Sequence, residues 1–279
     1  MKKRGKIEIT PTDEIRKNGI ILFVVIILFI VASVATKYKP WELLINMENF
    51  WLFILKDLTP PKLTDMDSVF KGLMQTVSMA ISATLCATFV SIVLAFLGSS
   101  ATCPWKPLRK IVRAVASVQK NIPNMIWTFI LIMSFGIGNV VGMLALLIQS
   151  TGFLTRAFIE TIDEIGEESL EAMRAVGAGR LTIATQALIP ACLSGIVSWI
   201  LYGLEVNIRS STLVGAVGGG GIGLVMMGYI KLFRYKSAMG VILLVAGVVI
   251  LVDLLTNFLR KKIFYSLVFG KESEVKKDF

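Results

Sequence analysis

The sequence predicts an all-helical, polytopic membrane protein with about six transmembrane helices, on three observations. Of its 279 residues, 55% are hydrophobic and 17% charged, against about 45–50% and about 25% in ordinary soluble domains. The mean hydropathy is +0.74, and the apolar residues gather into runs long enough to cross a bilayer, which takes roughly 20 residues. Basic residues collect between those runs rather than in one patch, so the net charge of +10 reads as a topology signal and not as nucleic-acid binding. The chain has no histidine, which excludes HExxH metalloproteases and Ser-His-Asp hydrolases. Cys86, Cys103 and Cys192 lie far apart with no CxxC, so neither a metal knuckle nor a redox pair is written here.

The elements follow in order. Residues 1–18 form a basic, cytoplasmic lead-in to the first span, 19–36. A cleavable signal peptide is the competing reading of that start. The long lead-in and long apolar core favour a retained helix. Residues 37–70 mix Trp41, Trp51, Pro60 and Pro61 with acids, and read as an external loop with an interfacial helix at 41–55. Five further spans are expected at 72–100, 122–135, 140–158, 191–208 and 239–259, with a cytoplasmic tail at 260–279. The first span and its loop thus occupy 19–71, and the transmembrane core 72–259. Residues 213–229 are apolar but glycine-rich, as expected of an irregular or re-entrant element buried in protein.

Six spans place both ends on one side. Segments 1–18, 101–121, 156–190 and 260–279 together carry 20 Lys/Arg, against 9 in 37–71 and 207–238. Positive residues prefer the cytoplasm, so both termini are expected inside. Lys231, Arg234 and Lys236 run against that trend, while Lys106, Arg109, Lys110 and Arg113 read as a topology anchor touching anionic lipid.

Residues 160–190 are too long for a connector between helices, which usually takes about 2–8 residues. A short helix over 169–178, stopped by glycine, and a second over 181–188 form either a docking knob or a hairpin capping the bundle. Here a resemblance enters. Glu171-Ala172, then Gly177, then Ile189-Pro190 at the matching interval resemble the EAA loop of ABC importer permeases, with Met173, Ala187 and Ile189 replacing more usual residues. Asn121-Ile122-Pro123 with Ile126-Trp127, Gly152-Phe153-Leu154 running into Glu160, and the stretch from Glu205 to Gly223 are similar to phosphonate-uptake permeases. The resemblance covers about 119–223. It implies a type I ABC importer permease fold in a bacterial-type inner membrane, a second copy of the chain, ATP-binding subunits seated on Glu171, Ala172, Gly177, Ile189 and Pro190, and an external binding protein.

The chain has no GxxxxGK[ST], so no Walker A site, and 218–221 is not followed by Lys-Ser/Thr. No cofactor of its own is expected: ATP-Mg would sit on the partner subunit. Glu205 and Arg209 are four apart and can pair on one face near the outer part of a span. Such a pair either neutralises itself and fixes packing, or turns Arg209 to the pathway to attract an oxyanion, with Asn207, Ser210, Ser211 and Thr212 nearby. Arg suits a phosphonate or phosphate because its fork binds two oxygens. Gly218, Gly219, Gly220 and Gly221 serve close packing or a gate. Asp253 is within reach of Asn257 or of a neighbouring span, and is read as a structural bond rather than a transport residue. The expected function is a permease for phosphonate, phosphate or phosphite. The alternatives are a methionine or quaternary-amine permease, or an ion-coupled secondary transporter, which would need mid-membrane carboxylates and an internal repeat.

Overall fold

A computed structural model describes residues 12–37, 39–175, 179 and 189–275. The chain divides into two compact units, Met1–Leu58 and Thr59–Phe279.

In the first unit, α1 (Thr12–Ala35) is followed by two short helices, α2 (Pro40–Ile45) and α3 (Met47–Phe53), and a π-helical turn at Ile54–Leu58. Every residue of α1 from Ile20 to Val31 is exposed. A helix apolar on all sides finds its partner in hydrocarbon. The region expected as an interfacial helix is thus α2 and α3, with Trp41 and Trp51 exposed.

The second unit is a helical bundle built on α4 (Met66–Gly98) and α7 (Asn139–Ala175). The buried residues of α4 recur every three or four positions: Gly72, Thr76, Ala80, Ala83, Ala87, Ser91, Ala95 and Gly98. This stripe of small side chains lets helices approach closely where lipid supplies no hydrophobic drive. α5 (Lys106–Asn121) lies between them in sequence and ends where Ile122 turns extended ahead of Pro123. α6 (Asn124–Phe135) starts at that proline and stops at Gly136, φ 78°. α8 (Ile189–Val214) opens with Pro190 in its first turn, where a missing N–H costs nothing. A π-helical turn at Gly215–Gly219 leads to α9 (Gly221–Lys231), and α10 (Tyr235–Val275) closes the bundle. The largest core cluster joins Ala87, Val112, Leu154, Phe158, Ile159 and Cys192 from α4, α5, α7 and α8.

Among the described residues five helices are long and apolar enough to cross a membrane, beside shorter apolar helices at Asn124–Phe135 and Gly221–Lys231. The run expected at 122–135 is a helix of 12 residues, about 18 Å at 1.5 Å per residue against a core about 30 Å thick. Pro123 and Gly136 cut it short. Two further expectations change. The span expected to end near 208 continues to Val214. The helix expected over 169–178 is the end of α7, running unbroken to Ala175. Gly177 and residues 181–188 lie outside the described residues.

Candidate functional site: a broken helix, a mid-span charge pair and a polar corner

The glycine-rich segment is a break in a helix, as its composition led one to expect. Gly218 (φ 112°), Gly220 (φ 83°) and Gly221 (φ 67°) hold left-handed backbone between α8 and α9. Neighbouring helices satisfy the polar groups that the break frees. The Gly138 N–H donates to the Gly218 carbonyl at 3.1 Å, and the Gly221 N–H donates to Asn139 Oδ1 at 3.2 Å. The Ile222 N–H donates to Thr76 Oγ1 at 2.8 Å, which itself donates to the Gly72 carbonyl at 2.9 Å. Asn139 and Thr76 thereby cap α9 from α7 and α4. The fit is tight: a Cβ at Gly220 would lie 1.8 Å from Asn139 Oδ1, and one at Gly142 would lie 2.1 Å from the Gly219 carbonyl oxygen. In hydrocarbon, irregular backbone persists only when paired in this way.

One turn below the break, α8 carries the polar residues singled out in the sequence, and the structure separates them. Asn207 is buried; its Nδ2 donates to Thr84 Oγ1 at 2.9 Å and its Oδ1 accepts from Ser150 Oγ at 2.8 Å. It ties α8 to α4 and α7. Ser211 is buried and donates to the Ile208 carbonyl at 2.7 Å, so it offers no proton to an ion beside Arg209. Ser210 is half-buried. The Arg209 Nη2 donates to Glu205 Oε1; the Glu205 side chain is 11% exposed and that of Arg209 57%.

The depth of this pair differs from expectation. Thr84 and Ser150 lie near the midpoints of the spans Met66–Gly98 and Asn139–Glu164, so Asn207 marks the middle of the bundle. Glu205 and Arg209 flank that level. The outer placement assumed that the span ended at 208; because α8 runs on to Val214, the charges sit deep. A charge at mid-membrane costs roughly 2.5–3.5 kcal/mol on insertion scales, and such residues are functional by default.

A second polar cluster lies at the other end of α7. Asp163 Oδ1 accepts from Ser99 Oγ at 2.6 Å, the Ser100 N–H at 2.8 Å and Ser100 Oγ at 3.0 Å. Its Oδ2 accepts from Arg113 Nη2 at 2.6 Å, while Arg113 Nε donates to the Gly98 carbonyl at 2.9 Å. Three elements thus meet where α7 enters 160–190: the end of α4, α5 and α7 itself. Glu171 and Ala172 lie on the last turns of α7, and Ile189 and Pro190, both exposed, open α8. Asp253 accepts from Asn257 Nδ2 at 3.1 Å on α10, one of the two partners expected for it. Among the described residues no group of acids, histidines or cysteines gathers as a metal site would.

Thr76, Asn139, Ser150 and Asp163 were not singled out in the sequence as site residues. For Asp163 a signal existed, an acid at the root of a long insert; the hydroxyls look like any others in an apolar run.

The chain that builds this bundle is similar to known proteins in sequence and in fold. A phosphite transport system permease protein of Stutzerimonas stutzeri is 31% identical over 202 residues, covering 72% of this chain and 74% of that one. A phosphate-import permease protein of Mycolicibacterium smegmatis is 27% identical over 232 residues, 83% of this chain but 43% of the longer relative. In structure, a chain of the MetNI methionine ABC transporter superposes with a TM-score of 0.63 at 20% identity, covering 72% of this chain and 99% of that one. Residues 90–265, from the middle of α4 through the polar corner, the charge pair and the glycine break into α10, match the binding-protein-dependent transport system inner membrane component family, and the chain is a multi-pass member of it.

Proposed function

We propose that this chain is the permease subunit of an ATP-driven importer for a phosphorus oxyanion: phosphonate, phosphite or phosphate. The observation that carries the reading is Arg209. Its guanidinium stands at mid-span with its side chain 57% exposed, while its partner among the described residues, Glu205, lies on its own helix. A fixed cation at that depth favours an anion in passage, and its fork suits two oxygens of one tetrahedral group. Relatives named for phosphite and phosphate transport support the same substrate class. The likeness to the methionine transporter speaks for the fold.

In this reading two copies of the chain enclose the pathway. The segment 160–190, with Glu171, Ala172, Gly177, Ile189 and Pro190, seats on a subunit that binds ATP-Mg. An external binding protein delivers the substrate, and both termini face the cytoplasm. ATP-driven closure below then reaches the glycine break through α7 and α8, which flank the insert. The break is the gate: Gly218 to Gly221 can change backbone angles at little cost.

Reconstitution with the ATP-binding subunits and binding protein tests this. Proteoliposomes should accumulate labelled phosphonate, phosphite or phosphate only with ATP enclosed in the lumen, on the side of those subunits, and with the binding protein and substrate outside. Accumulation should survive ionophores and resist excess methionine. Uptake that collapses with the ion gradient, or that methionine blocks, would overturn the reading.

A further inference from the structure

A cavity of about 310 Å³ opens beside the Asp163 corner, lined by Ser100, Lys106, Arg109, Lys110, Arg113 and Asp163. At about 30 Å³ per water it has room for an oxyanion and part of its hydration shell. Four of its six lining residues are cationic and one is anionic. That one is already committed: both Asp163 oxygens are taken up by Ser99, Ser100 and Arg113. Among the described residues no acid pairs with Lys106, Arg109 or Lys110.

The local helix makes this surplus costlier. Lys106, Arg109, Lys110 and Arg113 follow the i, i+3, i+4, i+7 pattern, so they form one stripe on α5. Lys106 and Arg109 occupy the first turn, where the helix dipole favours negative charge, and Lys110 and Arg113 the second. The first turn carries no acid, and no side chain caps that end. Three cations in one concave site, against a positive helix terminus, repel one another. Elsewhere the helix is well anchored, with Val112 and Ala116 buried in the core. The packing therefore holds the cations together at an electrostatic cost that a bound anion relieves.

We propose that this pocket binds a phosphate group, free or as a phospholipid headgroup, through Lys106, Arg109 and Lys110, with the Ser100 hydroxyl beside them. Arg113 stays with Asp163 and fixes the wall. The bound group fastens α5 to the end of α7 from which 160–190 departs. The proposal does not depend on which substrate the protein carries.

The test uses the full chain in nanodiscs. In zwitterionic phosphatidylcholine discs, inorganic phosphate is titrated against chloride at equal ionic strength by calorimetry. In a second arm, native mass spectrometry counts phosphatidylglycerol retained from mixed phosphatidylglycerol and phosphatidylcholine. The triple variant K106Q/R109Q/K110Q should weaken binding at least about tenfold, since each Lys or Arg near a membrane surface adds about 1 kcal/mol toward an anionic headgroup. The variant K62Q/K231Q/K236Q, which loses the same charge elsewhere, should bind like the wild type. Loss in the phosphate arm identifies a free-anion site, and loss in the lipid arm alone a headgroup site; either supports the proposal. Equal binding by wild type and triple variant, or no binding of either probe by the wild type, overturns it. Should the triple variant not fold, Arg109→Gln alone and the wild-type titration decide the matter.

Discussion

Two of the three arginine–carboxylate pairs among the described residues of the bundle use the same chemistry and are built in opposite ways. Asp163 and Arg113 come from α7 and α5, and the carboxylate accepts four hydrogen bonds from three residues. Their side chains are 23% and 34% exposed. Glu205 and Arg209 sit one turn apart on α8, and among the described residues Arg209 makes one side-chain bond, to Glu205. The first pair joins elements; the second joins only itself. A saturated carboxylate that bridges three elements is a structural part, whereas the proposed function assigns the guanidinium of Arg209 to a passing ligand. The difference separates stability from transport, and mutations should divide along it.

The largest effect should come from Asp163→Ala. The change strands Arg113 and three donors at Ser99 and Ser100 in a partly buried corner. Removing one partner of a buried pair costs about 3–5 kcal/mol, and the partial exposure here brings the expected loss to about 2–3 kcal/mol. The melting temperature in detergent should fall by several degrees, and the yield of folded protein should drop. An unchanged melting temperature would mean that the corner does not hold α4, α5 and α7 together.

A smaller effect, on rate rather than stability, should follow Arg209→Gln combined with Glu205→Gln. The double change keeps the pair neutral, so the helix should insert and the melting temperature should stay near the wild type. Transport of the oxyanion should fall about tenfold or more, since about 1.4 kcal/mol at the barrier is a factor of ten. Capture by the external binding protein should be unaffected. Near-normal uptake would return the pair to a packing role and erase its contrast with Asp163.

Much of this architecture is legible in the sequence, for physical reasons that also mark the limits. Long apolar runs must cross or lie in the membrane, so α1, α4, α7, α8 and α10 are plain. Four successive glycines, 218–221, cannot sustain a helix against their own conformational freedom, so the break is plain too. The shortness of α6 was available in Pro123 and Gly136, yet its apolar content outweighed them. The depth of Glu205 and Arg209 was not available, because the first polar cluster in a run looks like its end. Here α8 carries the cluster inside the span, where Asn207 finds Thr84 and Ser150. Residues 84, 150 and 207 come together only through the packing of three helices, and a lone threonine or serine announces nothing of it.

That three-residue knot supplies the smallest expected effect, and it tests the comparison from a third side. Asn207 was a candidate for the pathway alongside Arg209, two residues on. The structure turns it the other way, into the core, with both ends of its amide used. Asn207→Leu keeps the approximate volume and removes both bonds. Thr84 still donates to the Ala80 carbonyl at 2.7 Å, and the Ser150 hydroxyl can turn to the carbonyl one turn back on its own helix, as Thr151 does with Leu147. Few polar groups are therefore left stranded. Hydrogen bonds between membrane helices average about 0.6 kcal/mol and reach about 1.7 kcal/mol, so the loss should fall in that range. Equilibrium unfolding in mixed micelles should show that modest loss, and uptake per folded protein should match the wild type. A tenfold fall in uptake with no change in stability would place Asn207 with Arg209 on the transport side, and would mean that its bonds to α4 and α7 form part of the transport cycle.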